Sequence, residues 1–153
     1  MTLIDKLKAA ERPSRKLDAL ICKELRPDLF RRHWGDAKAM QAKGASDEII
    51  MRALLVGRGF PRLTASLDAA LTLAKEFLPR WDWSLYKETD LSSHCATLTS
   101  DVGPYYPEFE ARHKSPAIAL LIALLSAIAS RKAAETKYGF HPNHGNRESR
   151  HDR

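Results

Sequence analysis

From Pro116 to Ala129 the chain reads PAIALLIALLSAIA, fourteen consecutive residues without a charge. This stretch constrains the fold more than any other. It is shorter than the roughly 20 apolar residues needed to cross a bilayer, and it fits a buried core helix. Ser115 followed by Pro116 is a strong helix start, a capping residue and then a proline in the first turn. Arg131 and Lys132 close the apolar run, and the helix is expected to continue to about Thr136.

A helix of this kind needs other elements to bury it. The chain has 153 residues, of which 44% are hydrophobic. That suits one domain with a real core. Trp81, Trp83 and Leu85 alternate with Asp82, Ser84 and Tyr86, the pattern of a half-buried strand. His94 to Thr99 is a second candidate strand. Phe109, Ala111 and His113 alternate with Glu110, Arg112 and Lys114 and make a third. Short strands in succession, joined by turns, predict an antiparallel meander. Its expected cover is the Pro116 helix together with a helix capped by Ser66, with Trp81, Trp83 and Leu85 pointing at both. One core is expected to hold those three residues with Ile118, Leu121, Ile122 and Leu125.

The N-terminal half reads as helical. Thr2 can cap a first short helix carrying Leu3, Ile4 and Leu7, with Asp5 placed for a capping box. Glu11-Arg12-Pro13 breaks it. Ser14 can cap a second helix, whose stripe is Leu17, Leu20, Ile21 and Leu25, before Pro27 ends it. Residues 28–59 then form a helical insertion, with one short helix expected at Asp36 to Lys43 and another after Ser46-Asp47-Glu48. Residues 138–153 read as a disordered tail. The fold class is therefore α+β: a three-stranded antiparallel sheet with helices packed on it, an N-terminal helical region and a helical insertion, all in one domain over residues 1–137.

Several of these segments share a likeness. Leu3-Ile4-Asp5-Lys6-Leu7 and Arg15-Lys16-Leu17-Asp18-Ala19-Leu20-Ile21 are similar to the opening of small phage and prophage proteins. Leu63-Thr64-Ala65-Ser66-Leu67, Trp81-Asp82-Trp83-Ser84-Leu85 and Ser115-Pro116-Ala117-Ile118-Ala119-Leu120 are similar to their later segments. Together the chain resembles the phage ABA sandwich domain family over residues 3–25, 60–86 and 109–132. The resemblance implies an α/β/α layering and a role in a bacterial host cell, hence a cytoplasmic location. It brings no catalytic residues, because the matched positions are mostly packing and capping ones. Residues 28–59 depart from the pattern.

Chemistry-bearing motifs are few. Gly57-Arg58-Gly59 lacks the further glycine and the preceding strand of a phosphate-binding turn. His94 and Cys95, as strand neighbours, point to opposite faces, so His94 cannot activate the thiol. Cys22 and Cys95 read as small buried hydrophobes, not as a disulfide. His141, His144 and His151 lack the Cys or acid that would complete a rigid metal site. No catalytic, cofactor or metal role is assigned, and the chain is not expected to be an enzyme. Charge is the remaining signal. The net charge is +6. Residues 1–60 carry 13 Lys/Arg against 8 Asp/Glu, while residues 61–132 carry 8 of each. Arg31, Arg32, Trp34, Arg52 and Arg58 are the candidate partner-binding residues: cations around a large aromatic, able to grip phosphates or anchor an interface. The competing reading makes this a solvated face with Trp34 packed on the core.

These features rank three functions. First stands a non-enzymatic phage or prophage accessory protein that binds a host protein or nucleoprotein complex, such as a counter-defence inhibitor of the anti-CRISPR type. Second is direct nucleic-acid binding. Third is a small enzyme of unrecognised type. No membrane association is expected, and the oligomeric state is left open.

Overall fold

A computed structural model describes residues 1–28, 38–46, 61–100 and 107–138. The insertion is thus described only at Asp28 and at residues 38–46, where residues 38–42 are helical. Of the expected tail only Tyr138 is described, as the last residue of a helix, and residues 139–153 lie outside the described residues.

Helix α1 spans Leu3–Lys8. Its start is fixed by a reciprocal capping box: the Asp5 N–H donates to Thr2 Oγ1 at 3.1 Å, and the Thr2 N–H donates to the Asp5 carboxylate at 2.9 Å. Two of the first-turn donors are satisfied in this way. Helix α2 spans Arg15–Leu25 and buries Leu17, Ile21, Cys22 and Leu25. Ser14 stands at its N-cap but makes no side-chain cap bond, contrary to expectation. Its main-chain N–H instead donates to Thr64 Oγ1 at 3.0 Å, a contact fifty residues away in sequence. Helix α3 spans Leu67–Phe77, and Ser66 caps it by accepting the Ala69 N–H at 3.2 Å.

The strands follow as β1 (Trp81–Lys87), β2 (His94–Ser100) and β3 (Glu108–His113). They form one antiparallel sheet with β2 in the centre. Register fixes two faces. Trp81, Trp83, Leu85, Ala96, Leu98, Phe109, Ala111 and His113 share one; Asp82, Ser84, Tyr86, Cys95, Thr97, Thr99, Glu110 and Arg112 share the other.

Helix α4 spans Pro116–Tyr138. Ser115 Oγ accepts the Ile118 N–H at 3.4 Å, so the expected cap is formed. Every residue from Ala117 to Leu125 is buried, as are Ala127 and Ile128. This helix packs on β2 and β3 along one side and on α3 and α1 along others. It is buried nearly all round because it lies between the sheet and the helical region. By length and composition Pro116–Lys137 could cross a membrane, which the fourteen-residue apolar stretch alone could not; here it is the core helix of the domain.

The α+β class and the three-stranded antiparallel sheet are as read from the sequence. Ile118, Leu121, Ile122 and Leu125 are all in the core. Two details differ. Helix α3 packs mainly on α4 instead of covering the sheet. Trp83 is 44% exposed and outside the core, while Trp81 and Leu85 are partly buried against it. The cause is lateral. Helix α4 lies over β2 and β3, so β1 overhangs it, and Trp83 at mid-strand faces the core side with little above it.

Candidate functional site

Among the described residues, no helix packs on the second face of the sheet. Asp82, Ser84, Tyr86, Glu108, Glu110 and Arg112 are exposed there, with Thr97 and Thr99 half-buried between them. Alternation puts these side chains outward, and the pleat gives them fixed spacing. At the hairpin end of the face is a row running straight across all three strands: Tyr86, Cys95 and Arg112. Cys95 is fully buried under its two larger neighbours. Its thiol interacts with the Tyr86 side chain and holds that phenol above its ordinary value, with Glu110 acting in the same direction.

Arg112 is held from two sides. Its Nε donates to Glu88 Oε1 at 2.8 Å, and its NH1 pairs with Glu110. Glu88 also accepts the Ser93 hydroxyl at 2.8 Å. Arg112 first and Ser93 second keep the Glu88 carboxyl below its ordinary value, since both favour the charged form. The Glu88 N–H closes the hairpin onto Ser93 O at 3.0 Å. One side-chain network thus ties the β1–β2 turn to β3 and fixes the guanidinium on the open face.

Beside this network, between the end of α1 and the end of β3, is a cleft of about 330 Å³ lined by Lys8, Glu11, Ser93, Arg112, His113 and Lys114. His113 closes its floor. Its Nδ1 accepts the Ser115 N–H at 2.9 Å, so the ring proton sits on Nε2 and is donated to Ala10 O at 2.7 Å. Both ring nitrogens are engaged structurally. His94, on the same face of the sheet, contacts Lys114 O through Nδ1 at 3.0 Å. As expected, it does not meet the Cys95 thiol, which is on the other face.

A second cleft, of about 260 Å³, lies over the start of α2 and is lined by Ser14, Arg15, Asp18, Arg62 and Thr64. Asp18 is 1% exposed, a charge taken almost wholly from water. Its oxygens accept the Thr64 N–H at 2.8 Å, the Thr64 hydroxyl at 2.7 Å and Arg15 NH1 at 2.9 Å. Such full satisfaction is what a buried carboxylate requires. The group fastens α2 to the segment before α3 and has no oxygen aimed at the cleft that lacks a protein donor.

Arg31, Arg32, Trp34, Arg52 and Arg58 lie outside the described residues, as do His141, His144 and His151. Among the described residues, no group of three or more His, Cys, Asp or Glu side chains could hold a metal ion. Cys22 and Cys95 are both free and buried. Burial pushes the Cys22 thiol up to about 11, and the nearby Asp18 carboxylate adds to the effect. The sequence reading missed the Glu88–Arg112–Glu110 network. Glu110 and Arg112 could have been paired from strand alternation alone, but Glu88 could not without the hairpin register. No family model matches the chain, and no curated protein or solved structure does.

Proposed function

We propose that this chain is a non-enzymatic binding module, a phage or prophage accessory protein that docks on a host protein or nucleoprotein complex. Inhibition of a host defence, of the anti-CRISPR kind, is the concrete form that the family resemblance supports. The observation that carries the binding reading is the open sheet face. Tyr86 is 51% exposed near the hairpin end of this face, in one row with an Arg112 already held in place by Glu88 and Glu110, so that the guanidinium can meet a partner with little side-chain entropy left to lose. Tyr and Arg are the types enriched where interfaces are tightest. The basic stretch with Arg31, Arg32, Trp34, Arg52 and Arg58 supports the same reading, and charge complementarity would steer it to an acidic or nucleic-acid surface.

The test is affinity capture from an infected bacterial host, with and without nuclease. Wild type is compared with Tyr86→Ala and with Arg31→Glu/Arg32→Glu, each first shown to melt like wild type. A partner retained after nuclease and depleted by either variant is the expected result. A partner lost on nuclease treatment moves the reading to direct nucleic-acid binding, which the basic N-terminal half favours. Identical captures from all three proteins would remove the sheet face and the arginines from the interface.

A further inference from the structure

Among the described residues, the outer edge of β1 carries no pairing strand, and it has a definite polarity. The Glu88 N–H bonds to Ser93 O, so the directly opposed pair 88 and 93 is a hydrogen-bonded one. In an antiparallel ladder these pairs alternate. Asp82, Ser84 and Tyr86 therefore direct their main-chain groups at β2, and Trp83, Leu85 and Lys87 direct theirs off the sheet. Trp81 does so too, but its N–H is taken by Leu78 O at 3.1 Å. Among the described residues, no strand pairs with this edge. Trp83 stands on it 44% exposed, an apolar surface that water covers poorly.

We propose that this edge pairs with the same edge of a second copy of the chain, antiparallel about a two-fold axis through Ser84. The strand is complementary to itself in that one register. Trp83 comes opposite Leu85 of the second copy, exchanging both main-chain bonds and covering the exposed indole. Trp81 comes opposite Lys87, a cation beside an aromatic face. On the other face Asp82 meets the Tyr86 hydroxyl and Ser84 meets Ser84. Neighbouring registers fail. Shifts by one residue set outward groups against inward ones. A shift of two one way puts Asp82 against Glu88, like charges directly opposed. A shift of two the other way puts Pro79, which has no N–H, against Lys87. Within the strand Lys87 balances Asp82, so β1 carries no net charge to oppose the pairing in a chain of net charge +6. The product is a continuous six-stranded sheet that joins the two open faces into one surface.

Two measurements on the full chain test this. In sedimentation velocity across a concentration series, wild type is expected to shift from monomer to dimer. Trp83→Lys, a charge on an edge strand, should weaken the dimer at least about tenfold with an unchanged melting temperature. The register is read by crosslinking. Opposed residues of a non-hydrogen-bonded pair have Cα atoms about 4.5 Å apart, within disulfide range. Ser84→Cys should therefore form a disulfide-linked dimer under mild oxidation. Asp82→Cys should not, because the two copies of residue 82 are about 13 Å apart along the strands. Cys22 and Cys95 are buried and do not compete. A monomer at every concentration would overturn the proposal. So would a dimer that crosslinks as well through residue 82 as through residue 84, which would mean another seam. Neither outcome bears on host binding, which is measured separately.

Discussion

Replacing Asp18 with alanine should be among the most damaging single changes outside the apolar core. The carboxylate is 1% exposed and accepts three bonds. Without it, the Thr64 N–H, in a residue with no exposed surface, is left unpaired. The Thr64 hydroxyl is less affected, because it can turn its proton to Ser14 O at 3.2 Å. Arg15 loses its carboxylate but keeps Pro61 O at 3.1 Å, and its side chain is 29% exposed. An orphaned buried donor costs about 1–3 kcal/mol, and breaking a buried pair about 3–5 kcal/mol. Arg15's access to water discounts the second figure, so about 3 kcal/mol is expected. Asp18→Asn keeps an oxygen for Thr64 but turns an amide toward Arg15, and should cost about 1–2 kcal/mol. Thr64→Val should fall in the same range. Urea unfolding reads these as shifts in midpoint at constant slope; with slopes of about 1–3 kcal/mol/M, the alanine variant should move by 1 M or more. If Asp18→Ala lies within about 0.5 kcal/mol of wild type, the carboxylate does not fasten α2 as described. If the asparagine variant costs as much as alanine, the ion pair and not the Thr64 bond carries the effect.

Leu121→Ala, in a fully buried position on α4, should lower stability by roughly 2–5 kcal/mol in the same assay; a tolerant Leu121 would contradict the helix-on-sheet packing. Deleting residues 139–153 should leave the melting temperature unchanged, because the segment has almost no apolar residue to repay its ordering, and a large fall would refute that. Glu88 is held below its ordinary value of 4.5, so its stabilising contribution is present above that pH and fades as pH falls through the lowered value. Wild type should accordingly exceed Glu88→Gln at neutral pH, with the gap closing under acid in a pH series of melting temperatures. Cys22, pushed up to about 11 by burial, should resist alkylation at pH 8 in the folded protein and react once urea unfolds it.

How legible these features were depends on the distance over which each is decided. The caps at Thr2, Ser66 and Ser115 involve residues three positions apart, and sequence reading found them. The sheet faces follow from alternation, so Phe109, Ala111 and His113 could be assigned to one side together. Trp83 was misread because alternation says which face a side chain takes and nothing about what covers it. That depends on α4 lying over β2 and β3, a choice made by packing. Ser14 was assigned the right position and the wrong bond, since its partner Thr64 is brought to it only by the tertiary fold. Asp18 gave a usable signal: a carboxylate flanked by Leu17 and Ala19, beside an apolar stripe, calls for buried donors. Its donor at Thr64 could not be named from local sequence. The candidate arginines and Trp34 were chosen by composition, and they remain outside the described residues, so the open face around Tyr86 and Arg112 now bears the structural part of the case.

The position of α4 in the chain has a consequence for synthesis. It is the helix around which the rest is wrapped, yet it follows every other described element in sequence order. As the polypeptide leaves the ribosome, α1, α2, α3 and the β hairpins emerge with their shared inner surface bare. Leu7, Ile21, Leu63 and Leu98 have nothing to close over until Pro116 and its successors appear. N-terminal segments cannot then settle one by one, as successive units of a longer chain can. The nascent chain instead carries unsealed apolar surface until α4 has emerged. That interval, more than any weakness of the finished domain, is where chaperone dependence and misassociation should concentrate.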